Sequence, residues 1–166
     1  MAQSNQFTVT DVLTLSNMQK VVNLLYETMW GDVKIKFKEV VGSVCTPIKS
    51  VEFLKDWGRY IMFADMSKDV WCGLGYTMHT DYPTVMLYIK AKPNVEVNQR
   101  IKIINAMKEI ASRPGWRGEN LDSIKEPDVC IIRERSLRDF LSEGDQVSAI
   151  QLYFGEILEE LSLIKQ

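Results

Sequence analysis

Three strand-like segments in the middle of the chain follow one another too closely for a parallel sheet. Residues 60–66, 70–78 and 84–91 are rich in aromatic, β-branched and other apolar residues. Polar breaks at residues 67–69 and 79–83 separate them. Because a parallel pair of strands needs a crossover of about a dozen residues or more, these short connections predict antiparallel pairing. The segments therefore predict a meander.

Helical periodicity precedes and follows this meander. Between residues 10 and 30 a stripe recurs at helical spacing, and Ser16 with Gln19 fits a capping box at the start of the regular helix. Asn94 is positioned to cap a second helix, which Pro114 terminates. The first stripe consists of Val12, Leu15, Val22, Leu25 and Met29, and the second of Val97, Ile101, Ile104 and Met107.

The segment 33–38 alternates strictly between apolar and basic residues. Val33, Ile35 and Phe37 are apolar, and lysines fill the intervening positions. Alternation of this kind predicts a half-buried strand with a lysine face. That row, Lys34, Lys36 and Lys38, is suited either to following a phosphate backbone or to protecting an exposed strand from aggregation. A short helical turn starting at Ser50 is expected next.

The carboxy-terminal third predicts one strand and one long helix. A polar loop covers 116–119, a strand covers 129–132, and Ser136 with Asp139 opens a short helical turn. After Ser142 an apolar stripe continues over several turns, and it must bury against the sheet or against a second copy of the chain. The stripe consists of Val147, Ile150, Phe154, Ile157, Leu158, Leu161 and Ile164.

These elements predict a single α+β domain over residues 1–166. The sheet is expected to be mainly antiparallel, with about four to five strands and with N-terminal, middle and C-terminal helices packed on it. The chain has 166 residues, of which 46% are hydrophobic, enough to form a core without disulfides or metals. The domain is expected to be a monomer, or a homodimer through its C-terminal helix.

The net charge and the cysteines indicate the cellular compartment of the protein and the kinds of partner that it can bind. The formal net charge is −2, so no global field attracts nucleic acid or an anionic membrane. Cys45, Cys72 and Cys130 match no zinc spacing, which predicts reduced, metal-free thiols. The first residues lack the plan of a signal peptide, and no apolar run reaches the roughly 20 residues that span a bilayer. We expect a soluble cytoplasmic protein that does not bind membranes.

Catalytic signals are weak. His79, the single histidine, lies beside Asp81, but the sequence indicates neither a nucleophile nor a metal for it to serve. No glycine-rich phosphate loop and no nucleophile elbow occur. We therefore predict no catalytic residues, no metal and no cofactor, and the sequence favours a binding module over an enzyme.

Aromatic residues cluster in and around the meander. Much of this group is expected to fill the space between sheet and helices, but any members left exposed would form a recognition surface, since tryptophan, tyrosine and arginine dominate binding hot spots. The candidate binding residues are Trp57, Arg59, Tyr60, Trp71, Tyr76, His79, Tyr88 and Lys90.

Three short motifs carry a resemblance to a known kind of domain. They are Trp57-Gly58-Arg59-Tyr60, Val70-Trp71-Cys72-Gly73-Leu74 and Pro83-Thr84-Val85-Met86-Leu87-Tyr88. Together, over residues 50–91, they resemble an uncharacterised bacterial domain in the non-catalytic part of some PD-(D/E)XK nuclease-family proteins. The resemblance implies an accessory domain without an established activity.

The metal site of the nuclease core is not expected in this chain. That core needs an aspartate and then an acid-x-lysine motif, whereas Asp81 is followed here by Tyr88-Ile89-Lys90, with tyrosine in place of the acid. The leading hypothesis is a non-catalytic binding module of bacterial or mobile-element origin with a protein partner. The alternative is a nucleic-acid-associated or nuclease-related protein that uses the three lysines of 34–38 together with Arg59 and Lys90.

Overall fold

An antiparallel sheet of five strands runs through the part of the chain that the structure describes. The structure is a computed structural model, and it describes residues 8–28, 31–42, 58–77 and 83–164. The strands are β1 (Gly58–Asp65), β2 (Val70–Thr77), β3 (Thr84–Ala91), β4 (Trp116–Glu119) and β5 (Cys130–Ser136). Their order in the sheet is β1-β2-β3-β5-β4, and every neighbouring pair is antiparallel.

The predicted α+β class and the meander are confirmed. β1, β2 and β3 are consecutive neighbours, and β2 pairs with β3 without a break from Val70↔Ala91 to Thr77↔Thr84. The pairing of β1 with β2 has an irregularity between Tyr60 and Met62, which is typical of a β-bulge.

Two sequence predictions were incomplete on the other side of β3. Residues 116–119 form the strand β4, so the prediction of a polar loop there was wrong. Three of the four residues are exposed and only Trp116 is buried, so the segment lacks the apolar alternation that indicates a strand. β5 extends to Ser136, beyond the predicted end at residue 132, because the backbone of 133–136 continues to pair with β3. Charged side chains over 133–135 conceal this continuation in the sequence. The turn that follows is the predicted one: a 3-10 helix, Leu137–Phe140, capped by the Ser136 side chain.

Helices cover one face of the sheet. They are α1 (Val9–Glu27), α2 (Asp32–Val41), α3 (Val97–Ala111) and α4 (Gln146–Ile164). The main core lies between this helical layer and the sheet, and it includes side chains from β2, β3 and β5. Tyr76 of β2 is fully buried there, with its ring 5.9 Å from that of Phe154 in an edge-to-face arrangement.

The segment 33–38 is a helix, so the predicted lysine-faced strand was wrong. Val33, Phe37 and Val41 are the buried residues of α2, at i, i+4 and i+8, whereas Ile35 is 56% exposed. A strict alternation over six residues shares two of its apolar positions with a helical stripe, which is why the pattern misled. α2 ends at Gly42, whose left-handed backbone (φ 76°) directs its N–H to the carbonyl oxygen of Lys38.

The helical geometry also separates one of the three lysines from the other two. At about 100° per residue, Lys36 lies about 160° around the helix from both Lys34 and Lys38, which are themselves only about 40° apart. Lys36 contacts Glu159 of α4 instead, with its Nζ 3.3 Å from a carboxylate oxygen. The predicted row of three lysines is therefore reduced in α2 to Lys34 and Lys38 on one side of the helix.

The cap of α1 lies earlier than predicted. Thr8 and Asp11 form the reciprocal contacts of a capping box: the Thr8 N–H donates to the Asp11 carboxylate (2.8 Å), and the Asp11 N–H donates to the Thr8 hydroxyl (3.2 Å). The helix thus begins at Val9, not near Ser16. Leu25 is buried, but Val12 is 59% exposed, so this end of the predicted stripe is not core.

α3 is capped by Glu96 rather than Asn94, and its buried face includes a charged residue. The Glu96 carboxylate accepts from the Gln99 N–H. Val97 is 58% exposed, whereas Arg100 is only 4% exposed. The Arg100 guanidinium donates to the carbonyl oxygens of Lys92 (2.7 Å), Ile124 (2.8 Å) and Glu126. It thereby attaches the connection between β4 and β5 to α3.

α4 confirms the predicted core-facing stripe. Its buried residues include Ile150, Phe154, Ile157, Leu158 and Leu161. The helix packs on α2 and β3 within the same chain. At the start of α4 the Asp145 carboxylate accepts from the N–H (3.0 Å) and the hydroxyl (2.7 Å) of Ser148 and so caps the helix.

Several sequence predictions concern residues outside the described ranges. The helical turn after Ser50, the thiol of Cys45 and the motif residue Trp57 are among them, as are His79 and Asp81.

Replacement of Arg100 by lysine tests the guanidinium contacts. A lysine keeps the charge but cannot reach all of the carbonyl oxygens to which Arg100 donates, so some of these acceptors lose their donor. We expect the free energy of unfolding in urea to fall by about 1.5–3 kcal/mol, the range for one hydrogen bond to a charged group. Arg113→Lys, at an exposed position, is the control and should be neutral. An equally neutral Arg100→Lys would show that the contacts are dispensable.

Truncation of Phe154 tests the packing of α4. Its side chain is fully buried, so Phe154→Ala should lower the free energy of unfolding by about 3–5 kcal/mol. Leu152 lies on the same helix but is 66% exposed, so Leu152→Ala should change it by less than about 0.5 kcal/mol. Urea titrations followed by circular dichroism compare the two. Equal effects would mean that α4 does not pack as described.

Candidate binding face of the sheet

The sheet has two chemically different faces. Since side chains alternate along a strand, Leu74, Leu87 and Ile131 point into the main core, and their neighbours point to the opposite side. We call that opposite side the second face. Its described side chains are Trp71, Thr84, Met86, Tyr88, Lys90, Arg117, Glu119, Cys130, Ile132 and Glu134, as the strand register requires.

An aromatic pair and a lysine lie together on the second face. Trp71 of β2 is directly opposite Lys90 of β3, and Tyr88 is opposite Gly73. The ring centroids of Trp71 and Tyr88 are 5.6 Å apart, with an angle of 37° between the ring planes. Trp71, Tyr88 and Lys90 are all half-buried. Gly73, which is opposite Tyr88 on β2, contributes no side chain to this surface.

A small apolar cluster continues this surface toward β5. Met86, Cys130 and Ile132 are buried, and Tyr88 packs against them. No residue of the described helices belongs to this cluster, in contrast to the main core. The second face therefore has an apolar centre of its own.

Charged side chains at the edge of the second face are paired. The Nε of Arg117 is 2.7 Å from a carboxylate oxygen of Glu134, and Arg117 also contacts Glu119. Lys90 pairs with Asp128, which lies in the β4–β5 connection. Among these described side chains two cations meet three carboxylates, so the edge carries a slight excess of negative charge.

Cys130 lies in a place that opposes its ionisation. Burial raises the pKa of its thiol to about 11, and the negative charge of Glu119 acts in the same direction, while a hydrogen bond from Tyr88 partly opposes the rise. The thiol donates to Glu119, with 3.6 Å between Sγ and the carboxylate oxygen. Cys130 is thus a neutral, weak donor at neutral pH and not a nucleophile.

The structure brings together three of the predicted binding residues, Trp71, Tyr88 and Lys90. It removes Tyr76 from the candidate surface, because its ring is fully buried and its hydroxyl bonds to the Leu25 carbonyl oxygen (3.1 Å) and to Thr28. The backbones of Arg59 and Tyr60 lie in β1, opposite Tyr76 and Gly75. Trp57 and His79 lie outside the described residues.

Sequence analysis missed Met86, Arg117, Glu119 and Glu134 as members of this face. The signal for Met86 was the alternation of β3 itself: once Tyr88 and Lys90 are assigned to one side, Met86 must accompany them. Nothing local indicated the other three. Glu134 belongs to this face because β5 continues to pair with β3, and Arg117 and Glu119 belong to it because β4 pairs with β5.

Three wider observations accompany this geometry. Within the described ranges, no group of three or more histidine, cysteine, aspartate or glutamate side chains is arranged to hold a metal ion. None of the helices described there is both long and apolar enough to cross a bilayer. Comparison with known proteins gives no match to a family model, a curated protein or a solved structure.

The raised pKa of Cys130 predicts a pH effect on stability. The folded state holds the proton up to about pH 11, whereas an exposed thiol releases it near its ordinary value of 9.0. The contribution is therefore present below pH 9 and is lost as the pH rises toward 11. Urea titrations should show a smaller decline over this interval in Cys130→Ala than in the unaltered protein. Identical declines would indicate an unperturbed thiol.

Proposed function

We propose that this protein is a non-catalytic protein-binding module of bacterial or mobile-element origin, and that the second face is its binding surface. The observation that carries the proposal is the association of Trp71, Tyr88 and Lys90 on the side of the sheet away from the described helices. Aromatic rings and methionine are enriched at interface centres, and a charged residue such as Lys90 is typical of the polar rim around them. The likeness of residues 50–91 to an accessory domain agrees with it.

The charges of the second face favour a protein over a nucleic acid. A surface that follows a phosphate backbone needs an excess of lysine and arginine, because affinity comes from neutralised phosphates. Here Lys90 and Arg117 are already paired with carboxylates, and on α2 Lys36 lies on the opposite side of the helix from Lys34 and Lys38. Nucleic-acid association remains the alternative proposal, with Lys34, Lys36, Lys38, Arg59 and Lys90 as its candidate contacts.

We further propose a cytoplasmic location. Cys72 and Cys130 are both buried thiols that form no disulfide, on opposite faces of the sheet, a state that suits a reducing compartment.

Affinity capture with matched variants tests the proposed binding face. Tagged protein, Trp71→Ala and Lys90→Glu are incubated with nuclease-treated extract of the native host, and bound proteins are quantified by mass spectrometry. Leu141→Ala is the control, since Leu141 is 65% exposed and lies outside the second face. A specific partner should be enriched by the unaltered protein and by the control, and its recovery should fall about tenfold with both face variants, the effect of a single hot-spot residue.

Two outcomes would contradict the proposal. One is a partner that Trp71→Ala and Lys90→Glu recover in the same amount as the unaltered protein. Both variants must unfold at the same thermal midpoint as the parent, so that misfolding does not affect the comparison. The other is salt-sensitive binding of short DNA that disappears when Lys34, Lys36 and Lys38 are replaced by glutamate, since phosphate contacts weaken steeply with salt. The second outcome would establish the nucleic-acid alternative.

A further inference from the structure

A groove between α2 and α4 lies in the helical layer, on the side of the sheet opposite the second face. It encloses about 570 Å³ and is bordered on the α2 side by Asp32, Val33 and Lys36. Leu152, Gly155 and Glu156 are among its α4 residues. The groove lies between two helices and is open to solvent, so an elongated partner can enter it.

Gly155 lines the groove and places no side chain in it. It lies in the interior of α4, where glycine destabilises a helix relative to alanine. A Cβ built at this position would meet no other atom within 4 Å, so packing within the described chain does not explain the glycine. Leu152, three residues earlier and so beside it on the helix surface, is 66% exposed. The α4 side of the groove therefore has an exposed leucine beside a position that lacks a side chain.

The rim of the groove is acidic. Glu159 is engaged by Lys36 at 3.3 Å, but Asp32 and Glu156 form no ion pair with any residue that the structure describes. The lining thus carries three carboxylates against one ammonium group. A partner that fills the groove must bring positive charge as well as apolar side chains.

We propose that the α2–α4 groove is a second docking site, and that it receives a basic amphipathic helix of another protein. The apolar side of that helix would contact Leu152 and pass over Gly155, where the missing side chain permits close approach of the backbones. Its lysine or arginine side chains would pair with Asp32 and Glu156. This site goes beyond the proposed function of the second face and uses none of its residues.

Binding of a synthetic helix tests the proposal. The probe is a fluorescein-labelled peptide of about 18 residues, long enough to form a helix, with leucines on one side and lysines on the other. Its counterpart carries glutamate at every lysine position. Fluorescence anisotropy with the full chain should show binding of the basic peptide and none of the acidic one.

Two pairs of variants locate the binding. Gly155→Met places a side chain in the groove. Because methionine has a higher helix propensity than glycine, this variant should stabilise α4 and is expected to fold. Its control, Gly144→Met, adds the same side chain at an open position outside the groove. Glu156→Lys reverses a rim charge, and Glu109→Lys does the same on α3. The groove variants should weaken binding at least about tenfold, as hot-spot changes do, while both controls bind like the parent.

Each other outcome overturns the proposal. Absence of binding by the unaltered protein would exclude a basic helix as the occupant. Binding that Gly155→Met and Glu156→Lys leave unchanged would place the peptide elsewhere. Self-association that Gly155→Met abolishes would identify a second copy of the chain as the occupant. Trp71→Ala should retain peptide binding, which separates this site from the second face.

Discussion

The burial of Tyr76 is the constraint on which the helical layer depends. Its ring extends from β2 to meet Phe154 of α4, and its hydroxyl reaches the last turn of α1 through Leu25 and Thr28. A phenol in this position must find polar partners, since an unsatisfied buried hydroxyl is costly. The end of α1 supplies them. A single side chain thus fixes two helices on the sheet.

This arrangement divides the aromatic residues of the meander by strand register. Tyr76 and Trp71 are five positions apart on β2, so they point to opposite sides of the sheet. Of the two, Tyr76 is the one that packs against the described helices. The residues left on the second face have no described helix to cover them, yet they surround an apolar centre. The paired charges at its edge confine that apolar surface and limit non-specific association.

The fold was largely predictable, and the site only in part. Short breaks between apolar segments determined the meander, and the long stripe of α4 predicted its buried face. The helix α2 was not predictable from alternation, since positions 33 and 37 satisfy both periods and only tertiary packing selects between them. Trp71, Tyr88 and Lys90 were identified by residue type. Their association, and the exclusion of Tyr76, required the register of β2 with β3, which short local motifs do not contain.

The contacts of Arg100 have a consequence for which substitutions the β4–β5 connection tolerates. The guanidinium recognises carbonyl oxygens of the main chain, which every amino acid offers. The side chains at Ile124 and Glu126, both exposed, can therefore vary freely while the path of the chain is kept. Variation at Arg100 itself removes the donor on which that path depends. Among related chains the sequence of the connection should therefore vary, whereas Arg100 should be retained.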